Sequence, residues 1–273
     1  MAAIDQAALS PPALRILRST LWAGARLISI VLLVAAWELV VRSGIVTPFQ
    51  LPALGNVLER IWNDAVSGDL AINTALTLYR AMVGFFIAAV GGIVLGMAMS
   101  RNAIARWFFD PLISVGFPMP KIAFLPVVIL WLGVFDVSKI TMIVFDAIFP
   151  VVAATVIAIQ GVERELIWSA RNMGAREGEL LWQIILPAAL PTIMTGLQVA
   201  LPLSLIVAVV TEMLMGGYGL GGAMMTASRF ANSTGVFAGI VEIAVVGYAL
   251  VKAMALIRRR LLIWHQEADF AHN

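Results

Sequence analysis

The sequence predicts an all-α protein that crosses a membrane several times, and three observations carry that prediction. Of 273 residues, 61% are hydrophobic and only 12% charged, where soluble domains carry about 25% charged residues. No charge falls between Arg80 and Arg101, or between Glu179 and Glu212, and about 20 apolar residues suffice for a membrane-crossing helix. These runs also lack the polar face that a soluble helix of such length presents. The mean hydropathy of +0.96 agrees. There is no cysteine, hence no disulfide framework and no thiolate metal site. The two histidines, His265 and His272, lie in the C-terminal tail. Histidine chemistry inside the membrane is thereby excluded, and no catalytic or metal site is expected. A net charge of +2 gives no reason to expect nucleic acid as a partner.

Six spans follow from the apolar runs. The first is Trp22 to Val41, preceded by Arg15, Arg18 and Arg26 and read as an uncleaved span rather than a signal peptide. A loop helix comes next, with Leu54, Leu58, Ile61 and Trp62 on one face, suited to the membrane interface. The second span is Ala75 to Ser100, the third Phe108 to Val134, the fourth Ser138 to Gln160. A charged island over 163–183 interrupts the pattern. The fifth span is Leu186 to Met215 and the sixth Val236 to Ile257. Lysine and arginine concentrate in segments that share one side if both termini are cytoplasmic. On that topology the tails 1–20 and 258–273 and the island all face the cytoplasm, and the chain is a single transmembrane domain over 1–273.

The island reads "ARNMGAREGELLWQIILP" from Ala170 to Pro187. Leu166, Ile167, Ala170 and Met173 recur at helical spacing, so a short amphipathic helix is predicted, ended by a left-handed turn at Gly174. A second short segment then runs from Arg176 to Gln183. Pro187 and Pro191 are expected at the start of the long helix that follows, where proline is tolerated. The short helix has little of its own chain to pack against. It is either an interfacial loop helix or a docking element for a cytoplasmic partner.

Ionisable and polar groups inside spans are candidate pathway residues. Lys121 lies in "GFPMPKIAFLP" among Pro118, Pro120 and Pro126. Prolines so closely placed free backbone carbonyls, which membranes tolerate only in cavity-lining or buried segments. The alternatives are a broken helix that aims the ammonium at an anion and a kinked helix whose lysine snorkels. Asp146 sits mid-span and pairs with Lys121, lines the pathway, or is buried protonated. Gln198 and Ser204 lie six apart on the fifth span and are candidate pathway residues, though they do not share one strict stripe. Glu212 and Glu242 are read as packing or interface groups. "GYGLGG" from Gly217 to Gly222 matches a dinucleotide fingerprint literally, but no strand precedes it. It is read as a turn or an external hairpin. Gly92 and Gly96 form a close-packing GxxxG.

The island resembles the coupling motif of bacterial ABC importer permeases: EAA, three residues, glycine, nine residues, then I-x-L-P. Trp168, Ser169 and Ala170 stand at the EAA positions, Gly174 follows at the right distance, and Ile184, Leu186 and Pro187 complete the pattern. Trp168 replaces the glutamate and Ser169 the first alanine, and Glu165 lies one turn earlier. "LPALGNVLERI", "FPMPKIAFLPVVILWLGVFDVSK" and "ILPAALPTIMTGLQVALPLSLIVAVVTEML" are similar to segments of the nitrate, sulfonate, taurine and bicarbonate type of permease. The resemblance implies a type I importer permease in the bacterial inner membrane, working as a homodimer. It implies two cytoplasmic ATPase subunits, an extracytoplasmic substrate-binding protein, and a small organic or inorganic anion as cargo. It places ATPase coupling on Glu165, Trp168, Ser169, Ala170, Arg171, Gly174, Ala175, Ile184, Leu186 and Pro187. The residues agree in one respect: the three lysines follow Pro120, Ser138 and Val251, so no P-loop can form. No cofactor is expected on this chain, and ATP with Mg²⁺ belongs to the partner. The alternative is an ion-coupled secondary transporter, which would call for inverted repeats that the halves do not show.

Overall fold

The computed structural model describes residues 28, 29 and 31–262. Arg15, Arg18, Arg26, His265, His272, the N-terminal tail and most of the C-terminal tail lie outside them, as does the start of the first predicted span. Residues 31–42 (α1) are helical. Then come Leu54–Ser67 (α2), Asp69–Arg101 (α3), Ala103–Gly116 (α4), a 3₁₀ turn Lys121–Phe124 and Leu125–Leu132 (α5). Asp136–Gln160 (α6), Arg164–Asn172 (α7) and Glu177–Glu179 (α8) follow. A π-helical segment, Leu180–Ile185, leads into Leu186–Met215 (α9), and Leu220–Arg229 (α10) and Ser233–Leu261 (α11) complete the described chain. No strand occurs among the described residues.

Four helical stretches are long and apolar enough to cross a membrane: α3, α6, the run through α9, and α11. The third predicted span differs from expectation. It is two helical pieces, α4 and the 3₁₀ turn with α5, bent by 98° and together apolar enough to count as a fifth crossing. The cause is local: Pro118 and Pro120 supply no N–H and bias the residues before them away from helix. Pro126 stands at the start of α5, where its missing N–H does no harm. Asn102 separates α3 from α4, its side chain accepting from the N–H groups of Ile104 and Ala105.

The core is α3 packed on α6 and α9. Small residues let α3 and α6 approach closely, as the GxxxG predicts. A Cβ on Gly92 would lie 2.7 Å from Val151 Cβ, and one on Gly96 2.6 Å from Thr155 Cβ. Ala88, one turn before Gly92, is fully buried on the same stripe. Along α2, Val57 rather than Leu58 is the buried anchor, while Leu58, Trp62 and Val66 stay exposed. That outward stripe keeps the interfacial character expected of the helix.

A candidate coupling helix, a broken span and a buried charge cluster

Three polar constructions interrupt the apolar bundle. The first is α7. Gly174 has φ +87°, the left-handed conformation expected of it. The Gly174 N–H donates to the Arg171 carbonyl at 2.9 Å and the Ala175 N–H to the Ala170 carbonyl at 3.1 Å, the paired bonds of a Schellman cap. Arg171 and Arg101 share the Glu177 carboxylate at 2.9 and 3.1 Å, tying the end of α7 to the end of α3. The Arg176 N–H donates to Glu179, closing the start of α8.

One expectation for α7 is corrected. It does pack against its own chain. Ala170 is 3% exposed and joins Val162, Leu180, Ile185 and Ala189 in one apolar cluster. Ile167, Ala175, Ile184 and Leu186 border the same cluster, so residues distant along the motif meet in space. Glu165, Leu166, Trp168, Ser169 and Met173 face outward. Pro187 does stand in the first turn of α9, but no break precedes it. Helix is continuous from Glu177 through Met215, and a π turn, Leu180–Ile185, falls immediately before Pro187. The ring there removes an ordinary i−4 hydrogen bond, and the ladder shifts to the wider turn. Pro191 and Pro202 lie inside α9.

The second construction is the break between α4 and α5. The Lys121 ammonium donates to the Phe117 carbonyl at 2.9 Å, satisfying an acceptor exposed at the broken helix end. It also stands 3.3 Å from an Asp146 carboxylate oxygen and 4.7 Å from the centre of the Phe149 ring. Of the alternatives left open by the sequence, pairing of Lys121 with Asp146 is the one found. An apolar cleft of about 550 Å³ begins at Ile122 and Ala123 and continues along Leu125, Pro126, Ile129 and Leu214. Gln198 and Ser204 do not join this region. Gln198 accepts from Arg258 of α11 at 2.7 Å. Ser204 is fully buried, its hydroxyl donating to the Ala200 carbonyl one turn back.

The third construction was not legible as a site in the sequence. Glu212, fully buried, accepts from the Arg80 guanidinium at 2.6 Å. It also accepts from the Thr77 hydroxyl at 2.9 and 3.0 Å and from the Gly221 N–H at 3.0 Å. Arg80 reaches on to Asp136 at 2.8 Å and to the Tyr218 carbonyl at 2.7 Å. Lys139 donates to the Gly216 carbonyl at 2.9 Å, and Asn73 accepts from the Gly219 N–H. Four charges of balanced sign thus pin the 216–219 turn onto α3 and α6. "GYGLGG" is the turn expected, but its last residues open α10 rather than a hairpin. The sequence offered two separate signals, Glu212 within a span, read as a packing group, and Arg80, an isolated arginine beside a long uncharged run. On α11, Glu242 has a buried Oε1 without a hydrogen-bond partner among the described residues, and Arg60 and Asp64 of α2 act on its charge.

A bundle with several apolar crossings, one span broken at a charged hinge and a capped helix packed against the start of another defines a multi-pass membrane protein. Comparison with known proteins places it more narrowly. Residues 88–263 match the family described as binding-protein-dependent transport system inner membrane component. The chain is 32% identical over 246 residues to the taurine transport system permease protein TauC of Escherichia coli, covering 88% of this chain and 90% of that one. It is 32% identical over 237 residues to a putative aliphatic sulfonates transport permease protein, SsuC, of Bacillus subtilis, covering 87% and 86%. An inward-facing structure of the MetNI methionine ABC transporter has the same fold, with TM-score 0.65, 20% identity and coverage of 72% and 98%. The chain belongs to the binding-protein-dependent inner membrane component family and is a permease subunit of an ABC transporter. The ion-coupled alternative is thereby set aside.

Proposed function

We propose that this chain carries a solute bearing a small anionic group across the bacterial inner membrane, as a homodimer driven by two separate ATPase subunits. Relatives named for taurine and aliphatic sulfonates support the sulfonate side of that class, with nitrate, bicarbonate and aromatic carboxylates as its other members. An extracytoplasmic binding protein delivers the solute, and both termini lie in the cytoplasm. ATP and Mg²⁺ bind the partner ATPase. The observation that carries the reading is α7: capped at Gly174, anchored through Ala170, and turning Leu166, Trp168 and Met173 outward where the family's coupling motif stands. Ala170, Ala175, Ile184 and Leu186 serve by joining α7 to the foot of α9, so that a pull on α7 moves α9. Glu165, Trp168 and Ser169 are the groups offered to the ATPase. The solute passes beside Lys121 and Asp146.

The test is affinity purification in mild detergent from the native membrane, followed by mass spectrometry. A P-loop ATPase is expected near one-to-one, retained by wild type and lost by Trp168→Asp, which changes only an outward side chain. Ala170→Asp is a poorer probe, because it charges a buried anchor. Recovery of the chain alone, with solute uptake into ATP-free liposomes, would overturn the proposal.

A further inference from the structure

Among the described residues, two ion pairs with little-exposed side chains are built for different purposes. Arg80 and Glu212 are sealed, with side chains 5% and 0% accessible and a separation of 2.6 Å. Lys121 and Asp146 are open to approach, 10% and 19% accessible, and 3.3 Å apart. Charge-assisted N–H···O bonds ordinarily close to about 2.7–2.9 Å, so the second pair is held loosely. Lys121 has other support in the Phe117 carbonyl and the Phe149 ring. Asp146 has none besides Lys121 among the described residues.

Lys121 taken alone favours an anion. The pair does not. A singly charged anion that draws the ammonium away leaves Asp146 uncompensated in a low-dielectric wall, and repels it as well. A cation meets the converse difficulty with Lys121. A solute carrying both charges replaces each partner with its own group, and the net charge of the wall stays zero throughout. The cleft that starts at Ile122 and Ala123 is lined by aliphatic residues, so it supplies no further charge to a longer polar solute.

We infer that Lys121 and Asp146 form a zwitterion-selecting pair at the α4–α5 break, Lys121 taking a sulfonate or carboxylate and Asp146 the solute's ammonium. This rests on the importer reading above and narrows its cargo to short amino-sulfonates or amino acids. Selection here acts in the permease itself, in addition to whatever the delivering protein selects.

The test uses three probes with one skeleton: 2-aminoethanesulfonate, ethanesulfonate and ethylammonium. Each is titrated into the purified permease–ATPase complex, without binding protein, and followed by tryptophan fluorescence. Wild type is expected to bind the zwitterion about tenfold or more tighter than either singly charged probe, the worth of one charged hydrogen bond. Asp146→Asn should erase that preference while ethanesulfonate still binds, which also shows that the variant is folded. If that variant does not fold, Lys121→Asp combined with Asp146→Lys keeps the pair with exchanged signs and should keep the zwitterion preference. Affinities within about threefold across the probes in wild type, or an unchanged ratio in Asp146→Asn, would overturn the inference. The parent reading is scored separately on the same preparation, by ATP-driven uptake once binding protein is added. A flat probe ratio with intact ATP-driven uptake removes this inference alone.

Discussion

Replacing Glu212 by alanine should cost more stability than any other single carboxylate removal in the bundle. Glu212 is fully buried and gathers Thr77, Arg80 and the Gly221 N–H. Its loss leaves the Arg80 guanidinium, itself 4% exposed, with only the partly exposed Asp136 and the Tyr218 carbonyl, and takes the acceptor from the Thr77 hydroxyl and the Gly221 N–H. Removing one partner of a buried pair costs about 3–5 kcal/mol. At about 2–4 °C per kcal/mol for a chain of this size, the apparent melting temperature should fall by on the order of 10 °C. Asp136 meets the same arginine, but its side chain is 46% accessible, so Asp136→Ala should cost only about 0–1 kcal/mol. The double variant Arg80→Met with Glu212→Leu removes both charges and should recover most of the loss. The assay is the folded fraction surviving stepwise heating in detergent, read by size-exclusion chromatography. The reasoning fails if Glu212→Ala melts within about 2 °C of wild type, or if Asp136→Ala is equally damaging.

Two further expectations concern glycines. Gly92→Leu drives a side chain into Val151 across the α3–α6 contact. It should destabilise by about 1–3 kcal/mol, visible in the same heating assay, whereas Gly55→Leu, which meets nothing within 4 Å, should not. Gly174→Ala is opposed by the left-handed backbone at φ +87°, at about 1–2 kcal/mol. It should loosen α7 and lower ATP-coupled uptake, with membrane insertion and the melting of the main bundle little changed.

Much of this architecture was legible because a membrane makes composition decisive. Runs without charge marked the crossings, and α6, α9 and α11 begin or end within a few residues of the expected bounds. Gly174 announced its own turn, since it directly follows Met173, the last apolar residue of the helical pattern, where a left-handed glycine ends a helix. The interior arrangement of polar groups was less legible. Gln198 and Ser204 lie on one long helix, yet one is held by Arg258 and the other by its own helix. Spacing along a helix reports a face, and only the neighbouring helices decide what that face meets.

The sequence by itself determined the class of protein, the long apolar crossings of α3, α6, α9 and α11, the proline cluster around Lys121, and the turn at Gly174. Each is a consequence of local chemistry: hydrophobic length, missing N–H groups, or backbone freedom. Tertiary structure alone decided that Lys121 is paired with Asp146, that Ala170 is an anchor while Trp168 is offered outward, and that Arg80, Asp136, Lys139 and Glu212 converge on one turn. Those facts join residues up to 138 positions apart, as Arg80 and the Tyr218 carbonyl are. No local rule specifies such a meeting. It follows from α3, α6 and α9 packing closely enough that charges isolated along the chain become each other's only adequate solvent.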